Sequence, residues 1–228
     1  MNLHEGHRQR LKQRFLAGGL SGFEDHNILE LLLFYSVPRA DTNELGHKLI
    51  KKFGSLSAVF EASIEELCDV EGIGVHSAVL IKLIPELCNA YNVDKTKNVK
   101  VLNSIEDISK YFIPRFIGKQ TEELHMVLLD SKNKIIKSEV IAKGSLHTVD
   151  IPTRHIISQA INNNAIGIVL AHNHPGGVAI PSGNDIMITK RLFEALRLAD
   201  IALIDHIIVA DDDSVSLRDS GYFAEYYY

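Results

Sequence analysis

The 228-residue chain has no apolar run approaching the roughly 20 residues that a membrane-spanning helix needs. Its first residues, Met1-Asn2-Leu3-His4-Glu5-Gly6-His7-Arg8, are polar and charged where a secretory leader would be apolar. Both absences predict a soluble cytoplasmic protein. Cysteine is scarce: Cys68 and Cys88 form no C-x-x-C pair and are too sparse for a disulfide scaffold. Both read as small core hydrophobes within helices. Positive charge is also short. A formal net charge of −5 excludes a strongly electropositive nucleic-acid binder, because tight binding to a phosphate backbone rests on many Lys and Arg. Any DNA contact must be local. Internal repeats are missing, and only Asp211-Asp212-Asp213, read as a turn, and Tyr226-Tyr227-Tyr228 are compositionally odd.

What is present is an ordinary globular composition, 46% hydrophobic and 23% charged, with enough chain for one large domain or two small ones. Periodicity divides it. From Glu24 to Tyr91 apolar residues recur at helical spacing: Ile28, Leu31, Leu32 and Tyr35, then Leu45, Leu49 and Phe53, then Ala78, Leu83 and Leu87. This half is predicted to be all α, over residues 1–92. The polar stretch beginning Asn92-Val93-Asp94-Lys95 marks a linker over 93–101. Residues 102–228 are predicted to be mixed α/β. There Leu124–Leu129 and Ile135-Ile136 flank a turn, and Thr153–Asn163 carries Ile156, Ile157, Ala160 and Ile161 on one helical face. Ile166-Gly167-Ile168-Val169-Leu170-Ala171 has the length and apolarity of a buried strand. A helix from about Asn184 to Leu198 then leads to a strand over Leu203–Val209.

Directly after the buried strand stands His172-Asn173-His174-Pro175, with Ser182 and Asp185 opening the next helix. Residues two apart on an extended chain face the same side, so His172 and His174 can offer two imidazoles to one ion. Asp185 follows across a loop containing Gly176, Gly177 and Pro181, which can fold the helix start back towards them. Two nitrogens and one carboxylate suit zinc, with a fourth position left for water. Ser182-Gly183-Asn184-Asp185 reads equally well as a helix N-cap with an acidic residue in the first turn. On spacing alone the two readings stand level.

These residues match, one for one, the motif of JAMM (MPN-plus) metalloproteases: H-x-H-P at His172, His174 and Pro175, then after six residues S-x-x-D at Ser182 and Asp185. Ala171-His172-Asn173-His174-Pro175, Leu203-Ile204-Asp205-His206-Ile207-Ile208 and Phe53-Gly54-Ser55-Leu56 resemble the bacterial RadC family, and the resemblance covers nearly the whole chain. It implies an α/β fold in which a helix-hairpin-helix-like module, residues 1–92, precedes a JAMM-like domain, residues 102–228. It further implies one Zn2+ held by His172, His174 and Asp185. The matching general base is Glu139, in Ser138-Glu139-Val140, and the matching oxyanion donor is Ser182. The implied activity is zinc-dependent hydrolysis of an amide in a peptide, isopeptide or protein substrate. Read from its neighbours alone, Glu139 is a solvated strand residue beside Lys137. The competing function is a non-catalytic DNA-repair accessory, or a DNA- or protein-binding module, with a vestigial metal site. The intact set of Glu139, His172, His174, Ser182 and Asp185 argues for the enzyme.

The chain departs from the family where His-Pro-Ser-Gly-Asp-Pro is usual and His174-Pro175-Gly176-Gly177-Val178-Ala179 stands instead, and where a usual Pro-Arg-Glu reads Thr153-Arg154-His155. No proposed ligand is lost. His206 beside Asp205 is a further candidate, since a carboxylate can orient an imidazole near a metal, although a structural pair is the plainer reading. His4, His7, His26, His47, His76, His125, His147 and His155 lack ligand spacing and read as surface or satisfied interior residues. In the N-terminal half, Val70-Glu71-Gly72-Ile73-Gly74-Val75 followed by Ala78 resembles a helix-hairpin-helix turn, whose glycines let main-chain N–H groups approach a phosphate. Residues 1–92 nevertheless carry nine Lys and Arg against twelve Asp and Glu, and Glu71 would repel phosphate. A packing or protein-contact module is as good a reading as DNA binding. The basic cluster of Arg8, Arg10, Lys12 and Arg14 fits a solvated helix face.

Overall fold

The computed structural model describes residues 3–38, 40–144 and 152–222, with side chains from Gly6 onward. The side chain of His4, all of His147 and Tyr226-Tyr227-Tyr228 lie outside the described residues. The chain forms two compact units, Met1–Cys88 and Asn89–Tyr228.

Helices build the first unit: α1 (Leu3–Gly18), α2 (Asp25–Leu33), α3 (Thr42–Phe53), α4 (Leu56–Glu61), α5 (Ile64–Cys68) and the start of α6 (Val75–Lys95). Asp41 and Ser55 accept main-chain N–H groups at the starts of α3 and α4, and Ser63 and Glu66 form a capping box on α5. Leu29 and Leu33 of α2 meet Leu45 and Leu49 of α3, joined by Val59, Leu67, Ala78 and Ile81. Helices α2 and α3 touch so closely that a Cβ on Gly46 would lie 2.5 Å from the His26 carbonyl oxygen, so only glycine fits there. The apolar periodicity misplaces some residues. Tyr35, Leu83 and Leu87 were expected on the core face and are exposed, as is Cys88. In α2 nearly every residue from Ile28 to Leu33 is apolar, so two faces fit the pattern, and packing against α3 selects Leu29 and Leu33. In α6 the core takes Ala78 and Ile81, leaving Val75, Val79, Leu83 and Leu87 exposed.

Helix α6 crosses into the second unit, so Val93–Lys95 of the expected linker are helical, and Val101 forms a bridge to Lys134. There follow α7 (Ile105–Phe116), β1 (Glu123–Leu129), β2 (Ile135–Lys143), α8 (Thr153–Asn162), β3 (Gly167–Asn173), α9 (Gly183–Arg197), β4 (Ala202–Ala210) and β5 (Asp213–Ser216). The strands lie in the order β2-β1-β3-β4-β5, with β3 and β4 parallel and the other pairs antiparallel. Asp211 and Asp212 make the turn into β5, while Asp213 already belongs to the strand.

Strands β1 and β3 are buried along their whole length because both faces of the sheet are covered. Leu124, Met126, Leu128, Ile168 and Leu170 pack against Ile156 and Ala160 of α8 and Leu192 and Leu196 of α9. On the opposite face Val127, Leu129, Val169 and Ala171 meet Ile108, Tyr111, Phe112 and Phe116 of α7. The period-2 alternation of β3 therefore puts His172, in phase with Ile168 and Leu170, under α8 and α9. No described helix is long and apolar enough to cross a membrane.

Candidate metal centre

Strand β3 delivers the first two residues of the site. His172 pairs in register with Leu124 of β1 and Ile208 of β4, and is completely buried. The ladder continues one residue further, with His174 N–H donating to the Val209 carbonyl at 2.8 Å, so both imidazoles face the same way. Asn173 between them faces the other side of the sheet. There its side-chain oxygen accepts from Glu123 N–H at 2.7 Å and its amide donates to the Thr121 carbonyl at 3.1 Å. That pair of bonds ties the start of β1 to the end of β3.

Helix α9 delivers the third residue. Ser182 caps it, accepting from Asp185 N–H at 3.2 Å, while Asp185 Oδ2 accepts from Ser182 N–H at 2.8 Å and from the Ser182 hydroxyl at 2.6 Å. This capping box holds Asp185 with its carboxylate towards the histidines. The capping reading of Ser182 and Asp185 and the ligand reading thus describe one arrangement.

The three side chains converge. Nε2 of His172 lies 3.0 Å from Nε2 of His174 and 3.3 Å from Asp185 Oδ1, and His174 Nε2 lies 3.5 Å from Asp185 Oδ2. One ligand atom from each residue falls within 4.8 Å of the others. Zinc bonds to nitrogen and oxygen of about 2.0–2.1 Å require tetrahedral edges near 3.3–3.4 Å, and His172 Nε2 meets His174 Nε2 and one carboxylate oxygen at 3.0 and 3.3 Å, close to that spacing. Proton positions point the same way. His174 Nδ1 lies 3.2 Å from the Val178 carbonyl, which can only accept, so Nδ1 carries the proton and Nε2 presents a lone pair to the cluster. A buried gathering of lone pairs fits a cation.

The electrostatics are those of a paired site. Burial alone would raise the Asp185 pKa, but the adjoining His172 and His174 rings and the Ser182 hydroxyl outweigh it, holding the carboxyl well below its ordinary range. Asp185 in turn raises the His174 pKa against the opposing effect of burial. His174 keeps 20% of its side-chain surface exposed whereas His172 has none, so solvent reaches the cluster from the His174 side.

Glu139 stands apart from this group. On β2 it pairs with Met126 of β1 and shares the α8–α9 face of the sheet, two strand spacings from β3, or roughly 10 Å. Its carboxylate accepts from Lys137 Nζ at 2.7 Å and contacts His155 Nε2 at 2.9 Å, and these two bonds, Lys137 first, lower its pKa. His155 is one of the positions where the chain departs from the family pattern.

Two further residues stand behind His172: His206, which the sequence offered as a candidate, and Thr189, which it did not. Asp205 does not orient the His206 ring: neighbouring strand residues face opposite ways, and the carboxylate instead accepts from His206 N–H at 2.7 Å, Ser216 Oγ at 2.6 Å and Arg218 N–H at 3.2 Å. Burial raises its pKa against these bonds. The His206 ring turns to His172, with its Nε2 2.8 Å from His172 Nδ1, and complete burial pushes its pKa well below the ordinary value. Thr189, one turn beyond Asp185 on α9, contacts His206 Nδ1 at 2.6 Å. The Asp205-His206 adjacency was the available signal, but it named the wrong partner.

Residues 102–222 match the model of the RadC-like JAB domain. The whole chain is similar to a UPF0758 protein of Fusobacterium nucleatum, at 35% identity over 96% of this chain and 97% of that one. A UPF0758 protein of Vibrio parahaemolyticus is 33% identical over 92% and 94%, and one of Ruegeria pomeroyi 32% identical over 95% and 96%. A mixed α/β unit carrying a His172, His174 and Asp185 cluster is what the RadC-like resemblance led us to expect, and the chain belongs to the RadC-like JAB-domain family.

Proposed function

We propose that the protein is a zinc-dependent hydrolase of the JAMM type that cleaves an amide bond in a peptide or isopeptide substrate. The observation that carries this reading is the convergence of His172 Nε2, His174 Nε2 and the Asp185 carboxylate at a centre open on one side. Two neutral nitrogens and one carboxylate suit zinc better than magnesium, which prefers an all-oxygen shell. Zinc bound there would polarise a carbonyl and bring the pKa of water towards neutrality.

The chain's own groups have distinct tasks. His172, His174 and Asp185 hold the ion, and the exposed edge of His174 admits substrate. Glu139, ionised at neutral pH because Lys137 and His155 stabilise its charge, takes a proton from water and returns it to the leaving amine. Doing so means exchanging one of those two contacts. Ser182 would donate to the developing oxyanion, a role in which such donors contribute a few kcal/mol, once its hydroxyl turns from Asp185 Oδ2. The same anchoring of Glu139 favours the second reading, a non-catalytic module with a structural ion. A library of peptide and isopeptide substrates decides between them. Cleavage that chelation abolishes and zinc restores supports the hydrolase, whereas a zinc-loaded protein inert on the whole library overturns it.

For the helical unit we infer a helix-hairpin-helix-like contact with DNA phosphate. Its support is the turn joining α5 to α6, with Gly72 at φ +91° and packed on Leu45, followed by Gly74 at the helix start. Lys48 reaches Glu71 at 3.1 Å and so is partly neutralised. With a net acidic unit the contact is weak and salt-sensitive, no tighter than the roughly micromolar limit of non-specific binding at physiological salt. Fluorescence anisotropy on duplex DNA across a salt series checks this, and nanomolar, salt-independent binding would contradict it.

A further inference from the structure

Along one buried line the hydrogen bonds of the site have only one consistent order. Thr189 Oγ1 lies 2.6 Å from the main-chain oxygen of Asp185 and 2.6 Å from His206 Nδ1, and His206 Nε2 lies 2.8 Å from His172 Nδ1. A carbonyl oxygen only accepts, so the single hydroxyl proton of Thr189 goes to Asp185 O. The hydroxyl then accepts from His206 Nδ1–H. His206 Nε2 is left as an acceptor, and the proton between the two rings belongs to His172 Nδ1. That leaves His172 Nε2 as a lone pair, and Nε2 is the atom facing His174 and Asp185.

We propose that His206 and Thr189 are positioning residues: anchored on the Asp185 carbonyl, they hold His172 in the tautomer that can bind a metal. The inference rests on the metal-centre reading and deepens it. Reversing every proton along the line would leave Thr189 Oγ1 and Asp185 O 2.6 Å apart with no hydrogen between them. It would also aim an N–H from His172 Nε2 into the ligand cluster. His174 needs no such line, because the Val178 carbonyl fixes its tautomer directly. The two histidine ligands are therefore supported independently, one by the 175–182 loop and one by α9 and β4. Asp185 serves twice, with its carboxylate at the cluster and its carbonyl one helical turn ahead of Thr189.

The test uses the full chain with Thr189→Val, which removes the hydroxyl at nearly constant shape, and Thr189→Ser, which keeps it. Zinc affinity is read by chelator competition, and the His172 ring by long-range 1H–15N correlation of the metal-free, 15N-histidine-labelled protein. The wild-type His172 ring is expected as a fixed Nδ1–H tautomer. Thr189→Val should mix its tautomers and weaken zinc binding about tenfold to hundredfold, the usual effect of losing an outer partner of a ligand. Thr189→Ser should restore both to near wild type. Wild-type affinity and ring signals in Thr189→Val overturn the proposal, as does a Thr189→Ser variant no better than Thr189→Val, which would reduce the residue to packing. If the wild-type protein takes up no zinc, the metal reading fails separately and the spectra still decide: Nδ1–H at His172 upholds the relay, Nε2–H sinks it. The wild-type spectrum alone distinguishes these two tautomers even if Thr189→Val does not fold.

Discussion

Zinc should fall from one ion per chain to background in both His172→Ala and His174→Ala when the purified proteins are compared by elemental analysis. Each substitution removes one of three converging ligands, so the loss should exceed the about hundredfold limit typical of outer partners. Asp185→Asn should weaken binding as well, because an amide oxygen lacks the charge that balances the ion. The two histidine variants differ in a second respect. His172→Ala also strips buried His206 of its partner at 2.8 Å, leaving an unsatisfied nitrogen whose burial costs about 1–3 kcal/mol. His174→Ala opens a partly exposed position and should leave the fold more stable than His172→Ala does. Unchanged zinc in both variants would remove the site altogether.

Glu139→Gln should keep zinc and fold yet lower turnover about a hundredfold to ten-thousandfold, the usual cost of removing a general base. The amide is nearly isosteric but cannot take up a proton. The pH dependence should carry the same assignment. Lys137 and His155 lower the Glu139 pKa from 4.5, so the base remains ionised as pH falls through the weakly acidic range. An acid limb above that range would therefore not report Glu139. Replacing His155 with Ala removes one stabilising bond and should move the Glu139 pKa upward. Wild-type turnover in Glu139→Gln would place the base elsewhere, whereas loss of zinc would make Glu139 part of the ligand shell.

The three candidate ligands were legible in the sequence because their signal is local. An apolar run predicts β3, the H-x-H spacing uses the two-residue period of a strand, and Ser182 and Asp185 announce a helix start. The support behind them was not legible, because it depends on which strand lies beside β3 and on the rotation of α9. His206 touches His172 only because β4 joins β3 in parallel register, and Thr189 only because α9 presents that turn to β4. The plainer reading of Asp205 and His206 as a structural pair agrees with the carboxylate accepting from the His206 main-chain N–H, and because adjacent strand residues point to opposite faces the His206 ring is free to meet His172. Helix α7 went unremarked although it covers a whole face of the sheet, and Ser104 caps its start. Tyr35, Leu83 and Leu87 show the converse, where residues at core spacing lose the competition for limited interior space to Leu29, Leu33, Ala78 and Ile81.

Because Asp185 is at once a candidate ligand and half of the capping box, the first turn of α9 cannot behave like an ordinary helix end. Helix ends fray at little free-energy cost, and their amides exchange with solvent early. At α9 each such opening would also withdraw a carboxylate from the cluster, so with an ion bound it must overcome the binding free energy, which grows with the logarithm of free metal concentration. The amide of Ile186, whose N–H donates to the Ser182 carbonyl at 3.2 Å, would then exchange with deuterium more slowly as the centre fills. The occupancy of a buried site would thus be written into the protection of a single main-chain amide, and the ion would act as a clasp on the helix as well as a reagent.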